Sequence, residues 1–100
     1  MYKLTVLYPV PADPAAFDAH YSSVHVPLVH ELPGLLRLEV AHVVATPDGS
    51  TPPYHLMAEL YFADIESLQA SMGGPQGQAA AADMSNFSSG ATMLVCAVTP

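Results

Sequence analysis

Between residues 54 and 62, "YHLMAELYF", apolar and polar side chains alternate almost strictly. Leu56, Ala58, Leu60 and Phe62 fall on one side, and His55, Met57, Glu59 and Tyr61 on the other. A period of two predicts a half-buried β-strand. Residues 2–8, "YKLTVLY", read as a strand as well, closed by Pro9 and Pro11. After the loop "VPADP" the period changes. Asp13 can cap a helix, Pro14 suits its first position, and Phe17, Tyr21, Val24 and Leu28 form one apolar stripe to about residue 30. Pro33 and Gly34 stop that helix. A second strand is expected over 35–45, then a turn-rich loop, "TPDGSTPP", before the strand at 54–62. "ADIESLQASM" predicts a second helix with Asp64 as its cap, "GGPQGQ" breaks it, and "AAAADMSNF" suggests a short third helix. Residues 91–98, "ATMLVCAV", are the last strand.

The order β-α-β-β-α-β is the ferredoxin-like arrangement within the α+β class: a four-stranded antiparallel sheet with helices on one face. One domain spanning 1–100 is expected, with no repeat or linker. The other sheet face is left bare. With His55, Met57, Glu59 and Tyr61 on it, that face is too polar for a dry core and too apolar for open water. A second copy of the sheet would cover it and leave a cavity between the two.

Composition sharpens this picture. Apolar residues make up 51% of the chain and charged ones only 11%, against about 25% in typical domains. So few charges force apolar surface into view, which marks an interface and predicts a homodimer. The net charge is −7, and Lys3 and Arg37 are the only permanent cations. Nucleic acid and anionic membrane surfaces both require clustered cations, so both are disfavoured. The single cysteine, Cys96, rules out an intramolecular disulfide and fits a reducing cytoplasm. The N-terminal apolar run is too short for a secretion signal, and no run of about 18 apolar residues could span a membrane. A cytoplasmic location is expected.

The chemistry-bearing residues concentrate around "YSSVHVPLVHELPGL", residues 21–35. His25 follows Tyr21 by one helical turn and lies beside the apolar stripe. At a cavity mouth a neutral imidazole there would move protons near neutral pH. Alternatively it caps the carbonyls that Pro27 leaves unpaired. His20, His25 and His30 are spaced by five, a rotation of about 140° in a regular helix, so neighbours in the series do not face one ion. No metal is expected, and His20 reads as a solvated residue. Glu59 is a general acid if the cavity dehydrates it, or a structural partner of Lys3 or Arg37. His42 shares a face with Leu36, Leu38 and Val40. Polarity would send Arg37 and Glu39 of that strand into the cavity instead. Cys96 reads as an inert core residue, and nothing matches a phosphate loop, a hydrolase triad, or a flavin or nicotinamide fingerprint.

The segments "KLTVLYP", "FDAHYSSVHVPLV", "LPGLLRLEV" and "PPYHLMAELYF" resemble the EthD family of dimeric α+β-barrel proteins. The most specific element is an aromatic-rich first helix ending in His-x-Pro, met by Tyr21, His25 and Pro27, ahead of Pro-Gly-Leu at 33–35. Members of that family are often labelled oxidoreductases, and similar barrels include lactone isomerases, quinone-forming monooxygenases, polyketide cyclases and haem-degrading enzymes. In the methylmuconolactone methylisomerases a helix-end histidine matches His25, whereas a pocket tyrosine and a loop histidine fall at Leu38 and near Thr51 here. That comparison turns Leu38, and with it His42, toward the cavity. The resemblance implies a cofactor-independent enzyme acting on a small apolar compound such as a lactone, phenol or quinone. His25 would move the proton, assisted by Glu59 or His55, in a pocket shaped by Tyr8, Tyr21, Leu38, His42, Met57 and Tyr61. A carrier that binds such a compound without chemistry is the other reading.

Overall fold

The computed structural model describes residues 1–100, and the expected order of elements is present. Strands β1 (Tyr2–Pro9), β2 (Arg37–His42), β3 (Tyr54–Phe62) and β4 (Thr92–Ala97) form one antiparallel sheet in the order β2-β3-β1-β4. The chain enters its first helical segment at α1 (Pro14–His20), makes a π-helical turn over Tyr21–His25, and continues as α2 (Val26–His30). Helices α3 (Ile65–Gly73) and α4 (Pro75–Met84) follow β3. This is the ferredoxin-like α+β fold. No helix is long and apolar enough to cross a membrane.

Capping matches the local sequence. The Asp13 carboxylate accepts from the Ala16 amide at 3.1 Å, and Asp64 accepts from Ser67 at 2.7 Å. Gly34 turns the chain from α2 toward β2 with φ at +79°, a left-handed conformation that L side chains rarely adopt. "GGPQGQ" departs from expectation. Only Gly74 breaks the helix, in an extended conformation, and Pro75 at once starts α4 because its missing N–H is no loss there. Gly77 is required by this tight junction: a Cβ would drive into the carbonyls of Ser71 and Met72.

The register settles which side chains share a face. Leu4, Val6 and Tyr8 of β1 oppose Leu60, Ala58 and Leu56 of β3, and all six are buried beneath the helices with Phe17, Tyr21, Val29, Leu32, Phe62 and Leu68. Leu38 and His42 oppose Leu60 and Leu56, so they also lie on the helix side. Arg37 and Glu39 oppose Tyr61 and Glu59 on the bare side, with Lys3 opposite Tyr61 from β1.

Two local irregularities change the expected faces. Tyr8 pairs with Leu56 while Pro9 pairs with Tyr54, so His55 is an extra residue in β3. Such a bulge re-aims the side chain it adds. His55 therefore turns toward α1, where its ring packs edge-on against Phe17 with centroids 5.1 Å apart, and does not join Met57, Glu59 and Tyr61. The π turn does the same in the first helical segment. The Val26 amide donates to the Tyr21 carbonyl five residues back, and Pro27 has no amide to donate to residue 23. The buried positions become Phe17, Tyr21, His25 and Val29, spaced by four, and Val24 is exposed. The extra residue in the turn rotates His25 into the core in place of Val24.

Candidate active site

His25 is buried at 4% exposure, between the helices and the sheet and not on the face open to a second sheet. Its Nδ1 lies 3.0 Å from Oδ2 of Asp83 on α4. The other oxygen of that carboxylate is 2.8 Å from Nε2 of His20 and accepts from the Asn86 side chain at 3.0 Å. His20 is thus a partner of the site and not a solvated helix residue. A five-residue spacing fails to bring side chains together in a regular helix, but the wider π turn, closed by a hydrogen bond across five residues, lets both imidazoles reach one carboxylate.

Burial works to raise the Asp83 pKa, but the hydrogen bonds from Asn86, His20 and His25 outweigh it and hold the group below the usual carboxylate range. Asp83 is therefore ionised near neutral pH and can only accept. Both imidazoles must donate to it. Burial lowers the His25 pKa and outweighs the opposing pull of Asp83, so His25 is neutral at the same pH. With Nδ1–H committed to Asp83, the lone pair of a neutral His25 is left on Nε2. This is the arrangement in which a carboxylate selects the tautomer of a histidine base.

Aromatic rings enclose the pair. His25 lies 4.8 Å from Phe87 and 5.3 Å from Tyr21, centroid to centroid, and Tyr8 packs edge-on against Tyr21. Burial pushes the Tyr21 hydroxyl up to about 12. The Tyr8 hydroxyl is also raised, by burial first and then by the nearby Tyr21 and Asp83. Both phenols are neutral donors in the working range. A small cavity of about 50 Å³ touches Tyr8, Tyr21 and His25, and His25 is the one member of its lining that is not hydrophobic. An open apolar groove of about 420 Å³ between α3 and β4 shares Leu4, Met72 and Met93 with that cavity. Methionine is the side chain best able to move aside there. On the far side of Phe87 an open cleft of about 390 Å³ reaches His20 from the surface.

The residues singled out from the sequence divide between two faces. Tyr8, Tyr21 and His25 meet at the cavity. Leu38 packs on the same core at the far strand. His42 and His55 lie on the helix side but beside Asp18 of α1, away from the cavity lining. Met57, Glu59 and Tyr61 are on the bare sheet face and cannot reach His25 directly. The partnered alternative for Glu59 is the one present: Lys3 Nζ sits 2.6 Å from its Oε2, and this contact, ahead of Tyr61, keeps the carboxyl below its ordinary value. The Tyr61 hydroxyl reaches Glu39 at 2.9 Å and Glu59 at 3.0 Å, donating to one at a time. The Arg37 guanidinium lies 4.2 Å above the Tyr61 ring.

Asp83 escaped the sequence reading, although a signal existed. Gly77, Ala80 and Asp83 are the buried positions of α4, spaced by three. A carboxylate on the small-residue face of a helix needs a partner in the core.

Fold and site together define an α+β, ferredoxin-like protein with a histidine–carboxylate pair sealed between its helices and its sheet. The chain belongs to the EthD family: residues 10–91 match the EthD domain. It is 44% identical over 95 residues to an uncharacterized 11.0 kDa protein from the thcB-thcC intergenic region of Rhodococcus erythropolis, covering 95% of this chain and 91% of that one. The crystal structure of an ethyl tert-butyl ether d (EthD) family protein from Bacillus halodurans matches with a TM-score of 0.93 at 37% identity, over 99% of both chains. At lower identity the fold alone is shared. SnoaB of Streptomyces nogalater, a cofactor-independent oxygenase, has a TM-score of 0.70 at 13% identity, over 99% of this chain and 93% of its own. A dimeric ferredoxin-like protein of unknown function from Jannaschia has a TM-score of 0.69 at 20% identity, over 97% of both chains.

Proposed function

We propose that this protein is a cofactor-independent enzyme in which His25 transfers a proton to or from a small, largely apolar compound such as a lactone, phenol or quinone. The observation that carries the reading is the buried His25–Asp83 pair beside an apolar cavity. Nε2 of His25 acts as the base, Asp83 holds its tautomer and stabilises the imidazolium that forms, and the Tyr8 and Tyr21 hydroxyls hydrogen-bond the developing oxyanion. Substrate enters along the α3–β4 groove as Met72 and Met93 give way, since a cavity of about 50 Å³ holds only part of such a molecule. The cofactor-independent chemistry of SnoaB supports the class of reaction, and isomerisation, cyclisation or oxygenation would each start from this proton transfer. Incubation in D₂O with a panel of lactones and phenols tests it. Protein-dependent deuterium incorporation at an acidic C–H, read by mass spectrometry, is the expected result. The nearly all-apolar cavity lining favours a second reading, carriage. A ligand that binds and is recovered unexchanged would support carriage and overturn catalysis.

The same reading includes a homodimer that buries the bare sheet face. Leu94 is 49% exposed there, and both permanent cations, Lys3 and Arg37, are already paired with Glu59 and Glu39 on it. The face is thus close to electrically balanced before a second copy covers it. The dimeric Jannaschia protein supports the assembly. Light scattering should return twice the chain mass of 10.5 kDa. The chain mass itself at micromolar concentration would overturn the dimer.

A further inference from the structure

His42 at the end of β2, His55 at the bulge of β3 and Asp18 on α1 converge outside the site described above. Nε2 of His55 lies 2.8 Å, and Nε2 of His42 3.1 Å, from the same oxygen, Oδ1 of Asp18. The three donor atoms all lie within 4.8 Å of one another. Three elements meet here for definite reasons. The bulge turns His55 off the bare face, the Val43 amide donates to the His55 carbonyl at 2.9 Å and holds the two strands side by side, and Phe17 anchors α1 in the core one residue before Asp18. The edge-on Phe17 ring fixes the His55 imidazole.

We propose that Asp18, His42 and His55 form a binding site for a first-row divalent transition metal ion, zinc among them. Two imidazole nitrogens and one carboxylate oxygen are the donor set of open, three-ligand zinc sites, and water completes such a shell. Magnesium and calcium prefer all-oxygen shells, so the pair of imidazoles selects against them. Zinc bonds of about 2.0–2.1 Å in a tetrahedron separate ligand atoms by about 3.3 Å, so each imidazole nitrogen needs to move away from the Asp18 oxygen by only a few tenths of an ångström. The two nitrogens, within 4.8 Å of each other, settle to the same separation. Without the ion, Oδ1 of Asp18 accepts from both imidazoles, each donating its Nε2–H. An ion takes the place of these two protons, which pass through solvent to Nδ1 of each ring and leave both Nε2 lone pairs beside the Asp18 oxygen. His42 is half exposed, which leaves the ion a path from solvent. Once bound, it would tie α1 to the two strands that flank it.

Calorimetric titration of the purified, metal-stripped protein with zinc chloride near neutral pH tests the proposal. One zinc per chain is expected, weakened at least about tenfold in His42→Ala, by analogy with the loss that ligand-shell mutations cause. The exposed position of His42 makes that variant safe for the fold. Asp83→Asn serves as the control for the other histidine–carboxylate cluster and should leave zinc binding unchanged. No binding to the wild-type protein, undiminished binding to His42→Ala, or loss in Asp83→Asn would each overturn the site.

Discussion

His25→Asn is expected to lower the rate of substrate proton exchange by about 10²–10⁴-fold, the usual contribution of a positioned general base. Asparagine places an amide N–H near the position of Nδ1, so the bond to Asp83 is retained while the basic Nε2 disappears. Circular dichroism should therefore show a folded variant, and the loss should appear in the rate. The pH dependence has a definite sign. The His25 pKa lies below its ordinary 6.5 because of burial, and Asp83 is held below the usual carboxylate range. The rate should be level through neutral pH and fall only in acid below 6.5, as His25 takes up a proton. Stability follows the same group. Because the folded state binds the proton less readily than the unfolded chain, stability is complete above the unfolded value and declines as pH drops below it. That part of the acid loss should be missing in His25→Asn. A variant that exchanges protons at the wild-type rate would rule out His25 as the base.

Phe62→Ala should cost about 3–5 kcal/mol, the range for removing a fully buried phenylalanine. Phe62 has no measurable exposure and ends β3 where the sheet meets the Gly34 turn. A Cβ at Gly34 would already lie 3.9 Å from its ring, so the turn and the ring are packed together. Gly34 has no side chain that could move into the void. A chain of this size has a total stability of about 5–15 kcal/mol, so the substitution removes a large part of it. Thermal unfolding followed by circular dichroism should move down by about 12–40 °C. A shift of only one or two degrees would show that the residue is not packed as described.

The two substitutions separate what local pattern conveys from what it does not. Alternation in β3 placed Phe62, Leu60, Ala58 and Leu56 on one face, and the register agrees. Capping by Asp13 and Asp64, the stop at Pro33-Gly34 and the order of strands and helices were equally legible, because each depends on a few neighbouring residues and the geometry of one turn or pleat. The first-helix stripe misled at Val24, and strand parity misled at His55. In both places one extra residue enters a regular element, and a constant period then puts side chains on one side of that residue on the wrong face.

The partners of His25 depend on contacts across the chain. Asp83 is 58 residues from His25 and 63 from His20, and no local pattern connects them. Asp18 likewise reaches His42 and His55 across 24 and 37 residues. Local sequence, through side-chain periodicity and turn chemistry, determined the ferredoxin-like architecture and drew attention to Tyr21 and His25, whereas Tyr8 entered only with the family resemblance. Only the tertiary structure decided that His25 is held by Asp83 beneath the helices, away from Glu59 and Tyr61. The reason is physical: a bulge and a π turn are settled by the packing of the whole core, and a buried carboxylate is oriented by whichever distant donors the fold brings to it.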